Sequence, residues 1–272
     1  MIKIEKVIDL VKNAGEAVLE VYSKQNPRIY LKKDSSPVTE ADYLSEKILF
    51  SGLQIYGWRI LSEETKDDLS RLNKEKIWII DPLDGTRDFL DKTGEFSVMV
   101  ALVDKRKPFL GVVYKPVDDK IYFAVKGEGA FLKEKDKALK RLKVSEISSL
   151  SEARLVFTRS HLNEIEKKFI QNLKTRRVTF MGSVGVKLGE IAEGKADGYI
   201  SISNKTSQWD ICAPEIILKE AGGVVTDLSG GEFIYNRKEI NNDNGIVASN
   251  GKIHFQMLKK LHQILPERRE HK

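Results

Sequence analysis

The sequence predicts an α/β protein: N-terminal helices plus a mostly antiparallel sheet, then a smaller α/β lobe. Three observations carry this. Ile4, Val7, Ile8, Val11, Ala14, Val18 and Val21 recur at helical spacing at the start of the chain. From Glu95 to Lys133, the apolar runs FSVMVALVD, PFLGVVYKP, KIYFAVK and GAFLK are separated by turn residues, the pattern of a meander. Beyond residue 150, strand-like and helix-like runs alternate, as in an α/β arrangement.

Each element follows in order. Residues 3–23 form one amphipathic helix. Pro37 then breaks the chain, and Thr39 is a good N-cap for a helix from Glu40 to about Leu53. Asp42 falls in the first turn of that helix, where it would close a capping box and complement the helix dipole. A short strand WRIL leads to SEET, and the polar KDDLSRLNKEK precedes a strand IWIID. After the meander come a strand ARLVFTRS, a helix EIEKKFIQNL and a strand RRVTFMG. The helix VGVKLGEIAEG ends at Gly194, where a C-cap glycine is expected. A strand ADGYISIS follows, then a helix WDICAPEIILKEAGG ended by Gly222 or Gly223. A strand GIVASN and a helix from about Lys252 to Leu265 close the chain. There is no internal repeat and no low-complexity linker. The charged stretch 134–145 is the expected lobe boundary, giving lobes 1–145 and 146–272.

Composition narrows the function classes. Apolar residues make up 41% of the 272, enough for a substantial interior, and charged residues make up 32%. Basic and acidic residues number 46 and 40, a surface rich in both signs of the kind seen in thermophilic proteins. The net charge of +6 sits largely in KEKDKALKRLK (133–143) and the tail ERREHK, which read as solvated surface. No stripe interleaves aromatic and basic residues, so nucleic-acid binding is not expected. Cys212 is the only cysteine, which excludes an intrachain disulfide and a cysteine-rich zinc site. The N-terminal segment is periodic and charged, unlike a signal peptide, and no apolar run is long enough to cross a bilayer. A cytoplasmic protein without membrane partners is expected, with monomer and homodimer both open.

The chemistry concentrates in WIIDPLDGTRDF, Trp78 to Phe89. Asp81 and Asp84 are placed in the turn after a strand, with Pro82 stiffening the backbone between them. Gly85 has no side chain to obstruct a ligand. The amides of Gly85, Thr86 and Arg87 would open a short helix or turn and form an anion cradle. Two hard oxygen ligands beside such a cradle suit magnesium, which binds through carboxylates and phosphate oxygens. The competing reading is an ordinary hairpin turn, since Asp-Gly is a common turn pair. Glu63 and Glu64 follow the WRIL strand, and Asp210 follows Trp209 at a helix start. Separately they read as loop charges and an N-cap. Gathered with Asp81 and Asp84 they would repel one another, and the cluster would imply bound cations.

DPLDGT and WDICAPEIILKEAGG resemble the two signature motifs of the lithium-sensitive, magnesium-dependent phosphomonoesterases. That superfamily includes inositol monophosphatase, fructose-1,6-bisphosphatase and the bisphosphate nucleotidases. KKDSSPVTEAD and LSEE occur in the expected order, so the resemblance spans nearly the whole chain. It implies a layered α/β/α/β/α sandwich and two or three Mg2+ per site. By the same resemblance, Glu63 is an acidic ligand shared by the activating metals and Asp81 is the bridging ligand. The Leu83 carbonyl completes the first metal site, and Asp84 and Asp210 hold a second ion with Asp81. Thr86 and Asp42 are the pair that orients and activates the attacking water, and the Gly85 and Thr86 amides hold phosphate oxygens.

The substrate reading rests on finer likeness. DPLDGTRDFLDKTGEF, TRSH (158–161) and WDICAPE resemble the bisphosphate nucleotidases. Inositol monophosphatases usually carry a glutamate seven residues before the second-motif aspartate, and Ser203 stands there instead. The implied reaction removes the 3′-phosphate of adenosine 3′,5′-bisphosphate. Inositol 1-phosphate and fructose 1,6-bisphosphate are the alternatives, and a non-catalytic phosphate-binding regulator is the alternative of another class. Lys205 and Arg159 are candidates to hold the remaining 5′-phosphate, each also readable as a surface cation. Gly182-Ser183 would approach the substrate, and Gly185 and Gly189 would allow close helix packing. His161 reads as a structural hydrogen-bonding residue, Cys212 as a small core residue, and Trp78 and Trp209 as packing anchors.

Overall fold

The computed structural model describes residues 2–32, 36–160, 162–175, 177–203 and 206–265. His161 and Lys205, singled out above, lie outside the described residues.

Helix α1 (Ile4–Tyr22) buries Val7, Ile8, Val11, Ala14, Val18 and Val21, the stripe read from the sequence. Helix α2 (Glu40–Leu53) starts at its N-cap Thr39, whose hydroxyl accepts from the Ala41 amide at 3.1 Å. The Asp42 carboxylate closes the box, accepting from the Thr39 amide and hydroxyl at 2.7 Å each. Between the helices lies an antiparallel hairpin, β1 (Ile29–Leu31) and β2 (Pro37–Thr39), too short to have been read from periodicity. Pro37 starts an edge strand, where a missing N–H costs no ladder bond.

The larger sheet has seven strands in the order β3 (Arg59–Ser62), β4 (Lys76–Asp84), β5 (Ser97–Asp104), β6 (Lys107–Lys115), β7 (Lys120–Val125), β8 (Gly129–Glu134) and β9 (Lys140–Arg141). Only β3 and β4 pair in parallel; the other neighbours are antiparallel. Alternation assigns each side chain to a layer. Val98, Val100 and Leu102 of β5 join the core under α1 and α2, while Met99, Ala101 and Val103 join the core on the opposite face. Both faces are covered, which is why these strands read as continuous apolar runs rather than alternating ones.

Helices α5 (Val184–Ala192) and α6 (Gln208–Glu220) form the middle layer, packed on the second face of this sheet. A Cβ at Gly111 of β6 would stand 2.5 Å from the Ala213 carbonyl oxygen, so α6 lies directly against the strand backbone. Behind the helices is a five-stranded sheet in the order β11 (Val178–Met181), β10 (Leu155–Thr158), β12 (Gly198–Ser201), β14 (Ile246–Ser249), β13 (Val224–Thr226). Tyr199 points into the middle core and Ile200 to an outer one, where Phe169 of α4 (Glu164–Gln171) and Met257 and Leu261 of α7 (His254–His262) pack. The stack is the α/β/α/β/α sandwich that the resemblance implied. Strand β13 escaped the sequence reading because three residues show no period, and α7 is shorter than the span read for it.

The sequence placed Asp81 and Asp84 in a turn after the strand. The structure instead keeps both inside β4, Asp81 opposite Met99 and Asp84 opposite Ser97, with a bulge between them. Pro82 falls in this bulge, past the last residue paired with β3, where no amide is required. A bulge re-aims side chains, and the carboxylate oxygens of Asp81 and Asp84 on either side of it lie within 4.8 Å of each other.

Candidate active site

The chain does not make a hairpin at Asp84-Gly85. Gly85 takes φ +92° and opens a short helix, α3 (Thr86–Leu90). A side chain there would meet the Glu95 carbonyl oxygen at 3.0 Å and the Ser183 amide at 3.3 Å, so two backbone segments close on this point. Asp81, Asp84 and Asp210 each bring a carboxylate oxygen within 4.8 Å of the others. Asp210 is not an N-cap: Ser207 takes that position in α6, and Asp210 closes the box from the third helical position, accepting from the Ser207 amide at 2.5 Å.

The three carboxylates are held differently. Asp84 Oδ2 accepts from the Ser183 hydroxyl at 2.5 Å and the Gly185 amide at 2.8 Å. Ser183 caps α5 from a left-handed backbone, φ +43°, a strained conformation for a residue with a Cβ. Asp81 Oδ1 accepts from the Leu83 amide at 3.0 Å, but its buried Oδ2 has no hydrogen-bond partner among the described residues. Burial, then Glu63, Asp84 and Asp210, push Asp81 well above the usual carboxylate range. Burial and the facing Asp84 and Glu63 do the same to Asp210. A buried carboxylate with one oxygen unpartnered among the described residues, facing two more carboxylates, is what a bound cation would resolve. Oxygen-only ligands of this kind suit a hard divalent ion.

Asp42 closes the capping box and also contacts Thr86. One oxygen closes the cap of α2, and Oδ1 lies 3.2 Å from the Thr86 hydroxyl, which is also 3.2 Å from the Leu83 carbonyl oxygen. Burial raises Asp42 to about 6 against the bonds from Thr39. Glu63 lines the cleft, and Glu63 and Glu64 are each bonded to Lys32 Nζ, at 2.7 and 2.6 Å. Glu63 is not among the three carboxylates whose oxygens cluster, but its charge acts on all three, and on Asp42. The cleft has a volume of about 710 Å³, and Gly85, Thr86, Ser183, Ser203, Trp209 and Asp210 are among its lining residues.

Two features were not legible in sequence. Lys187, one turn into α5, is buried and lines the cleft, donating to the Gly182 carbonyl at 3.0 Å. Burial lowers it to about 8 against the pull of Asp84, Asp88, Glu95 and Asp210. A lysine on the apolar face of a short helix was the available signal. Arg159 is not free: it lies 2.6 Å from Asp88 and 2.7 Å from Glu95, and Glu95 also accepts from the Gly182 amide at 2.8 Å. Gly185 and Gly189 do serve close packing, against Met99 and Tyr122. Cys212 and Trp78 are buried in the core, and Trp209 packs at its margin while facing the cleft.

Comparison with known proteins identifies the family. The model of the inositol monophosphatase family matches residues 3–266. The 3′(2′),5′-bisphosphate nucleotidase CysQ of Salmonella typhimurium is 35% identical over 240 residues, covering 87% of this chain and 95% of the relative. CysQ from Bacteroides thetaiotaomicron superposes with a TM-score of 0.76 at 32% identity, over 90% of this chain and 96% of that one. An inositol monophosphatase of Thermotoga maritima superposes with a TM-score of 0.83 at 28% identity, over 96% and 97%. With the motifs, the layered fold and the acidic cleft in agreement, the chain belongs to the inositol monophosphatase family of phosphomonoester hydrolases.

Proposed function

We propose that this protein is a magnesium-dependent phosphatase that removes the 3′-phosphate of adenosine 3′,5′-bisphosphate or a related bisphosphate nucleotide. The observation that carries the chemistry is the unpartnered Asp81 Oδ2 facing Asp84 and Asp210 beside the Gly85 backbone. The substrate reading is supported by the 35% identity to bisphosphate nucleotidases and by Ser203 in place of a glutamate.

Glu63, Asp81, Asp84, Asp210 and the Leu83 carbonyl are the residues that would hold two or three Mg2+. When bound, magnesium lowers the pKa of water and neutralises charge on the transferring phosphate. Thr86, braced by Asp42, orients the attacking water in line with phosphorus. The amides of Gly85 and Thr86 hold phosphate oxygens, and Ser183 keeps Asp84 aimed. The buried Lys187 ammonium adds fixed positive charge for an anionic substrate. Water adds to phosphorus as the 3′-oxygen leaves and takes a proton, giving adenosine 5′-phosphate and inorganic phosphate. Positioning and charge stabilisation supply the catalysis, with no covalent phosphoenzyme.

The lobes 1–145 and 146–272 meet at this cleft in our reading. It is supported by the end of the larger sheet at Arg141 and the start of the smaller at Leu155, with α6 reaching across. Inositol 1-phosphate is the second reading, favoured by the Thermotoga maritima superposition. Phosphate release with magnesium, compared across adenosine 3′,5′-bisphosphate, inositol 1-phosphate and fructose 1,6-bisphosphate, tests the substrate. A preference for either of the last two would overturn the nucleotide reading and leave the chemistry standing. Asp81→Asn should lose nearly all activity, and normal magnesium-dependent turnover by that variant would overturn the chemistry.

A further inference from the structure

Lys32 follows β1 and reaches into the acidic side of the cleft. Its Nζ lies 2.7 Å from Glu63 Oε1 and 2.6 Å from Glu64 Oε1. The Glu64 side chain is only 4% exposed, so the pair is screened from bulk water on that side. Glu63 stands between two environments. On one side its charge acts on Asp42, Asp81, Asp84 and Asp210, and on the other it meets Lys32. The acidic residues of the cleft are therefore neutralised unequally. Asp81, Asp84 and Asp210 crowd together with an oxygen of Asp81 unpartnered, whereas Glu63 and Glu64 already share an ammonium.

We propose that Lys32 is a cation built into the site: its ammonium holds the place between Glu63 and Glu64 that a divalent ion would otherwise take, and so limits how many ions the cleft loads. The inference rests on reading Asp81, Asp84 and Asp210 as divalent-ion ligands. A lysine ammonium is a compact point charge, and here it is in bonding contact with one oxygen of each glutamate. A divalent ion bridging the same two oxygens would have to sit against that like charge and displace it. The contact with Lys32 uses one Glu63 oxygen, Oε1. Because Lys32 is tethered to the chain, its charge does not dissociate when the metal concentration falls. The positive charge next to Glu63 thus stays constant, while the ions at the aspartates come and go.

The test counts ions rather than turnover. Mn2+ bound per chain is measured from the electron paramagnetic resonance signal of free Mn2+, in the full chain, with circular dichroism confirming the fold of each variant. Lys32→Gln should bind one Mn2+ more than the wild type, and the added Glu64→Gln change should remove that extra ion. Lys32→Arg, which keeps the charge, should bind the wild-type number. Glu64→Gln alone should also leave the wild-type number unchanged, and a fall would show an ion already bridging the glutamates and overturn the proposal. Equal counts in folded Lys32→Gln and wild type would overturn it as well. If the wild type binds no Mn2+, the ligand reading itself falls and takes this proposal with it. If the wild type binds Mn2+ and Lys32→Gln binds no more, only the role of Lys32 falls.

Discussion

Asp81→Asn should make the metal-free protein more stable while removing its activity. With three carboxylate oxygens within 4.8 Å of one another, each ionised pair repels by on the order of 3 kcal/mol at an effective dielectric constant of 20. Asp81 faces two such partners, so full ionisation is the costlier state. The cheaper route is to keep a proton on the cluster. For a carboxyl whose ordinary pKa is 3.8, that costs about 4 kcal/mol at pH 7. Asparagine removes this cost, keeps the oxygen that accepts from the Leu83 amide, and leaves a buried amide donor short of a partner, a loss of about 1–3 kcal/mol. The net gain is about 2 kcal/mol, or several degrees of melting temperature for a chain of this size. The assay is urea and thermal unfolding with a chelator and again with magnesium. The wild type should gain about 3 kcal/mol from magnesium at a hundred times its dissociation constant, and the variant much less. A variant less stable than the wild type in chelator would refute the reasoning, because the cluster would then not be strained without its ions.

Other residues give separate tests. His254 is buried between the Thr226 and Ser249 hydroxyls, and burial lowers it to about 4. As pH falls below 6.5 the unfolded chain takes a proton that the folded chain refuses until about pH 4, so stability is lost across that window, by at most about 3 kcal/mol. His254→Gln should flatten that part of the urea-unfolding profile, and an unchanged slope would count against it. A methyl at Gly185 would stand 2.6 Å from both Met99 Sδ and Ser97 Oγ, so Gly185→Ala should cost about 1–3 kcal/mol. Gly189→Ala meets only the Tyr122 ring edge at 3.1 Å and gains up to about 1 kcal/mol of helix propensity, so it should be near neutral; the reverse order in chemical denaturation would sink the packing argument. Arg159 is spent on Asp88 and Glu95, so Arg159→Gln should lower turnover of monophosphate and bisphosphate substrates alike. A rise in KM confined to bisphosphates would instead make it a substrate ligand.

Much of this protein was determined locally. The stripe from Ile4 to Val21, the Thr39–Asp42 cap and the apolar runs of the meander follow from burial on one or both faces of a single element, and each is visible within a few turns of chain. DPLDGT stood out because its carboxylates, proline and glycine are adjacent in the chain, while the bulge that keeps Asp81 and Asp84 inside β4 was not legible and read as a turn. The short strands β1, β2 and β13 were not, since three residues carry no period. Charge pairing lay beyond the sequence for a different reason. Whether Arg159 meets a substrate or Asp88 and Glu95, whether Lys187 is solvated or buried beside Asp84, and whether Lys32 meets Glu63 and Glu64 depend on through-space distance. Those distances are set by how two sheets stack across the layer of α5 and α6. The same stacking brings Asp210 to Asp81 and Asp84, and it is there that residues from both halves of the chain gather into one acidic cluster.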